Sequence, residues 1–227
     1  MLTLAEDLLL LLLDDATGKP RVDSTSLDYG LAGAVLAELE VAGRIEVVEG
    51  EGFFGRDHVR VVDAAPTGDE SHDAALRLAD DEKPRRGDQL VPRVCKGLRP
   101  LILRRLEQRG MVSRESTRVF GIFGRDRWPA QDASAELALR QRLHDVLVLG
   151  TTPDARTVSL IALLSAIDQA HKILDIDRVE RKAVKTRAKS LAEGSWTATA
   201  VRQAVRSSRA SSSAGASATI AAASVTT

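Results

Sequence analysis

Apolar residues recur with helical spacing along most of the chain, and two short stretches alternate instead. Residues 8–13 are an unbroken leucine run, and Thr3-Leu4-Ala5-Glu6 has the form of a capping box, so a buried helix is expected there. A second helix is expected over residues 27–42, stopped by Gly43. Residues 44–48 and 58–62 read as the arms of a hairpin, and the turn DAAPTGD at 63–69 leads into a helix over 70–79. Residues 80–88 read as a charged linker. Leu98, Leu101, Ile102, Leu103 and Leu106 then mark a helix ending at Gly110. After Gly110 the pattern turns extended: Met111-Val112, a polar turn at 115–117, then 118–123, which makes a second hairpin. Beyond Trp128 the chain is helical again over 132–148. Residues 154–174 form the most apolar long segment and are expected at the centre, 177–192 is basic and surface-like, and 195–206 is amphipathic.

The expected fold is mainly α, a single globular helical domain over residues 1–206 with short β-hairpins. Residues 207–227 are nearly all Ser, Ala and Thr, with no charge after Arg209, and are expected to be a disordered tail. A chain of 227 residues can bury a full core, and with aromatics at 3% that core must be built from Leu, Val, Ile and Ala. Residues 35–47 (VLAELEVAGRIEV) and 102–114 (ILRRLEQRGMVSR) echo each other. Two independent helix-Gly-strand joints and a duplication both account for this.

Charge changes the picture. The formal net charge is zero, but residues 1–82 carry six bases and nineteen acids, while residues 93–127 carry ten bases and three acids. Within that basic stretch lies an apolar tip of Val119, Phe120, Ile122 and Phe123, flanked by Arg118, Arg125 and Arg127. Bases beside a greasy tip suit reversible contact with an anionic membrane. The same pattern suits a winged-helix nucleic-acid binder or a soluble scaffold for protein contacts. Nucleic acid is disfavoured by the acidic first half and by Pro100 in the would-be recognition helix.

Candidate chemistry is sparse. His58, His72, His144 and His171 are scattered, with no metal-ligand spacing, and no phosphate-cradling glycine loop is present, so neither an enzyme nor a cofactor is expected. Ser71-His72-Asp73 contains triad residue types, but sequence neighbours cannot take triad geometry as a unit. Asp175 and Asp177 fit helix capping better than a metal pair, and Cys95 fits a small helix-start residue better than a reactive thiol. A lone cysteine suits a reducing compartment. The run at 8–13 is too short to span a bilayer and is flanked by acids, so no targeting segment and a cytoplasmic location are expected.

Four motifs, LTLAEDLLLLLLDD, YGLAGAVLAELEVAGRIEV, APTGD and RRLEQRGMV, occur in the order and spacing of the Golgi phosphoprotein 3 family, which the chain resembles over residues 2–206. The resemblance implies a mostly helical domain that binds phosphatidylinositol 4-phosphate on membranes and holds glycosyltransferase tails. A bacterial member is expected, since the sequence carries no long basic N-terminal arm and Arg outnumbers Lys by 25 to 7. The resemblance places lipid headgroup contacts at Lys96 and Arg99 and the membrane hairpin at residues 115–126. It also places Ala32 where the family has Arg and Asp23 where it has Trp. A general anionic-lipid site is therefore expected, with weakened preference for one headgroup, together with a possible protein partner or homo-oligomer.

Overall fold

The leucine run forms the most buried element. In the computed structural model, which describes residues 1–48, 57–81, 83–116 and 126–223, helix α1 (Leu4–Leu12) is buried along its whole length. Thr3 accepts from the Glu6 amide and Glu6 accepts from the Thr3 amide, so the expected capping box starts the helix. A helix apolar on nearly all sides must be surrounded. Helix α2 (Ser24–Val41) packs on α1 and is itself enclosed by later helices.

The first hairpin is β1 (Ile45–Val48) against β2 (His58–Val61), antiparallel with Ile45 opposite Val61. It gains a third strand where the sequence predicts only a linker. β3 (Arg85–Arg86) pairs antiparallel with β2, and α4 (Gly87–Val94) follows directly, after α3 (Glu70–Ala79). A two-residue strand has no periodicity to detect, and Pro92 masks the helical pattern of α4. Helix α5 (Leu98–Gln108) contains Pro100 without interruption, because Pro100 lies in the first turn, where amides have no helical acceptor.

The internal echo has a structural counterpart. Gly43 and Gly110 both take positive φ, 67° and 69°. In each case the next residue donates back to a buried leucine carbonyl, Arg44 to Leu39 at 2.8 Å and Met111 to Leu106 at 3.0 Å. Both are the same left-handed helix stop, and both lead into a hairpin. The second is β4 (Glu115–Ser116) against β5 (Asp126–Arg127), with Glu115 opposite Arg127. Glu115 and Ser116, predicted within its turn, are therefore its first strand.

Helix α6 (Ser134–Leu147) lies on α1, and α7 (Ala155–Ala166) runs through the core as its apolar sequence demands. α8 (Arg178–Leu191) begins at a capping box of Asp177 and Glu180, so the Asp177 carboxylate is occupied by the Val179 and Glu180 amides. α9 (Trp196–Ala223) packs on α4, α2 and α7. It continues past residue 206, where composition predicts loss of order. Alanine has the highest helix propensity, and Ser211 and Ser212 bond back to the carbonyls of Ser207 and Ser208.

At Gly33 α2 lies close against α7 and α9. A Cβ there would lie 2.5 Å from Val201 Cγ2 and 2.8 Å from Leu163 Cδ2. Gly33→Ala should therefore destabilise the protein by about 1–3 kcal/mol despite the better helix propensity of alanine, read as a lower denaturant midpoint at unchanged slope.

Candidate functional site

The split of charge along the sequence is largely resolved inside the fold. Carboxylates of the first half meet the bases of the middle: Arg99 with Asp28 at 2.7 Å, Arg104 with Glu70 at 3.5 Å, and Arg105 with both Glu6 and Asp69. Glu6 and Asp7, next to each other on the buried helix α1, point to different partners. Glu6 takes Arg105 at 3.0 Å and Arg109 at 3.6 Å, and Asp7 takes Arg156 at 2.6 Å. Arg156 also reaches Glu38 at 3.5 Å, and Glu38 accepts from the Leu4 amide and faces His72 Nε2 at 3.2 Å. Burial pushes the Asp7 carboxyl above its ordinary range, against the pull of Arg156.

This network also disposes of the triad residue types. Ser71 Oγ donates to Asp69, His72 faces Glu38, and Asp73 accepts from the Thr67 amide and hydroxyl. The three neighbours serve three separate purposes in starting α3 and tying it to α2.

Lys96 and Arg99 flank the start of α5, Lys96 exposed and Arg99 half-buried. They are not equivalent. No ion-pair or hydrogen-bond partner of Lys96 is found among the described residues, whereas Arg99 donates to Asp28 and to the Ser24 carbonyl at 2.9 Å. Burial raises the Asp28 carboxyl while Arg99 lowers it. Asp23 caps α2 by accepting from the Ser26 amide and pairs with Arg209 at 3.3 Å. Ala32 is fully buried on α2 and presents nothing to this surface. Burial pushes the Cys95 thiol up, away from the thiolate form that reacts.

A family model described as Golgi phosphoprotein 3 (GPP34) matches residues 4–208. The chain belongs to the Golgi phosphoprotein 3 family. No curated protein matches it. In this member the motifs that carry the likeness in sequence converge in space: Glu6 and Asp7 from the first, Glu38 from the second, Asp69 from the third, Arg105 and Arg109 from the fourth. They meet in one ion-pair network joining α1, α2, α3, α5 and α7. The shared motifs hold this Golgi phosphoprotein 3 domain together.

The base of the second hairpin is firmly placed. Trp128 donates to the Gly18 carbonyl at 3.2 Å, Ala130 donates to Asp15 at 3.0 Å, and Arg114 stacks over the Trp128 ring at 5.9 Å. Arg114 also pairs with Asp126 at 2.7 Å, across the foot of the hairpin. Arg127 is half-buried on β5. Val119, Phe120, Ile122, Phe123, Arg118 and Arg125 lie outside the described residues.

The sequence reading takes 177–192 as basic and surface-like but does not join it to the bases of α9 in a second basic surface. Lys185, Lys189, Arg202, Arg206 and Arg209 line one groove beside α7. The signal was available, since residues 178–209 carry nine bases and two acids, as uneven a balance as the middle of the chain. It is masked because only the helical hairpin of α8 and α9 brings those bases to one place.

Proposed function

We propose that this chain is a non-enzymatic peripheral membrane protein of the cytoplasm that binds anionic lipid headgroups. Contact is made by Lys96 and Arg99 and by the hairpin residues Val119, Phe120, Ile122 and Phe123. Membership of the Golgi phosphoprotein 3 family supports this role. The observation that carries it is the hairpin foot: β4 and β5 frame a nine-residue connection, TRVFGIFGR, that pairs four apolar side chains with two arginines. No helix among the described residues is long and apolar enough to cross a membrane, so contact of this kind relies on partial insertion.

The magnitudes suit a reversible binder. Each apolar side chain entering the bilayer contributes at most about 1.5–3 kcal/mol, and each base near the surface about 1 kcal/mol. After ordering costs, an affinity near micromolar follows, about −8 kcal/mol. Stable residence then needs a second contact, such as a protein partner or a second copy of the chain.

The pairing of Arg99 gives a test specific to this member. Lys96→Ala should weaken binding to phosphatidylglycerol vesicles by about 1 kcal/mol, roughly fivefold. Asp28→Asn should strengthen it, because it releases Arg99 and removes a negative charge from the same surface. Vesicle sedimentation with both variants checks this. If both bind as the parent does, this surface does not face the lipid, and a protein scaffold becomes the better reading.

A further inference from the structure

α8 and α9 both pack on α7, and beside its last turn they leave a groove of about 540 Å³, within the range of small-ligand sites. Small apolar residues such as Ala166 and Ala170 form part of its lining. The rest is cationic: Lys185 and Lys189 from α8, and Arg202, Arg206 and Arg209 from α9. Asp168 is the single carboxylate among the lining residues, and it is engaged by Lys185 at 2.6 Å and Lys172 at 3.2 Å. Arg209 is engaged by Asp23. That leaves Lys189, Arg202 and Arg206 without a carboxylate partner among the described residues.

Elsewhere the fold spends its carboxylates on arginines. Arg99, Arg105 and Arg156 each hold one, and even exposed pairs such as Arg60 with Glu46 are made. Three cations without a carboxylate partner among the described residues thus share one concavity. Arg202 is also half-buried, so part of its hydration is lost with no protein anion in return. His171 shares the groove, and burial holds its pKa below the ordinary histidine value, so it adds a neutral hydrogen-bonding group at pH 7.

The geometry points to a binding site for a small anion with more than one negative charge on phosphate, of the pyrophosphate or phosphomonoester class, held by Lys189, Arg202 and Arg206. Arginine matches phosphate oxygens with its planar fork, and Arg202 and Arg206 stand one helical turn apart on α9. Three free positive charges call for a ligand with more than one negative charge. The lining carries no Phe, Tyr or Trp, and His171 is its one ring, so the groove offers little stacking surface for a nucleobase and suits a compact phosphate compound better than a nucleotide. The site goes beyond the membrane reading above, since it is built from different helices and shares no lining residue with Lys96 or Arg99.

Titration calorimetry of the full chain with pyrophosphate tests it. The parent should show saturable binding that weakens with salt, and Arg202→Gln/Arg206→Gln should weaken it at least tenfold. Lys96→Ala and Phe120→Ser/Phe123→Ser should bind pyrophosphate as the parent does, which separates this site from the membrane surface. If the double variant melts early, Lys189→Ser, an exposed change, should still cost severalfold. Two vesicle preparations of equal charge, one with phosphatidic acid and one with phosphatidylglycerol, identify the source of the phosphate. Selective loss of phosphatidic acid binding in the double variant assigns the groove to a lipid headgroup. Unchanged vesicle binding with lost pyrophosphate binding assigns it to a soluble ligand. Absence of saturable pyrophosphate binding by the parent, or unchanged affinity in the folded groove variants, overturns the proposal.

Discussion

Replacing Arg105 by Ala should cost about 3 kcal/mol of stability and lower the melting temperature by roughly 6–12 °C, the largest effect expected of any single change on this protein's fold. Arg105 joins Glu6 and Asp69, whose side chains are 1% and 11% exposed. Taking the guanidinium away leaves buried carboxylates without their main counter-charge, which breaks a buried pair from one side. The arginine is itself 32% exposed, so the lower end of the usual range applies. The partner change tests the cause. Adding Glu6→Gln to Arg105→Met removes the stranded charge and should recover part of the loss. Thermal melts of the three proteins check it, and an unchanged melting temperature in Arg105→Ala would show that the network does not stabilise the fold.

The second large effect belongs to membrane binding. Phe120→Ser/Phe123→Ser should weaken binding to anionic vesicles by about 3 kcal/mol, more than a hundredfold, because apolar area entering the bilayer is the main favourable term. The melting temperature should stay that of the parent, since the foot of the hairpin is held by Trp128, Ala130 and Arg114. Sedimentation with vesicles beside a thermal melt measures both. A variant that unfolds or loses an oligomer, with vesicle binding intact, would make the tip a packing element.

Helix starts were legible where the capping residues stand out in sequence. The Thr3 box and the Asp177 cap sit where the sequence places them, whereas the Asp23 cap that starts α2 three residues before the expected 27 was not read. Gly43 and Gly110 stop their helices for the same reason, since the left-handed position after a helix favours glycine. What escaped the sequence is of two kinds. The two-residue strand β3, too short to show a period, reads as linker, and α4, broken in pattern by Pro92, is not read as a helix. Pairings between residues far apart leave no local trace: Arg99 with Asp28 spans 71 residues and Arg156 with Asp7 spans 149. For that reason the basic stretch at 93–127 looks in sequence like one free cationic surface. In the fold much of that charge neutralises the acidic first half, and among the described residues Lys96 and several bases of α8 and α9 have no carboxylate partner. Family likeness singled out Lys96 and Arg99 as candidates. The Asp28 partner that distinguishes the two bases was not legible.

The most direct measurement is sedimentation of the parent chain with two sets of vesicles, neutral phosphatidylcholine and the same lipid with anionic phosphatidylglycerol, at low and at physiological salt. Binding is predicted for the anionic set alone, near micromolar at low salt and weaker at physiological salt, where surface charges are screened over about 8 Å. Equal recovery of the protein with both sets, or recovery with neither, would contradict the account.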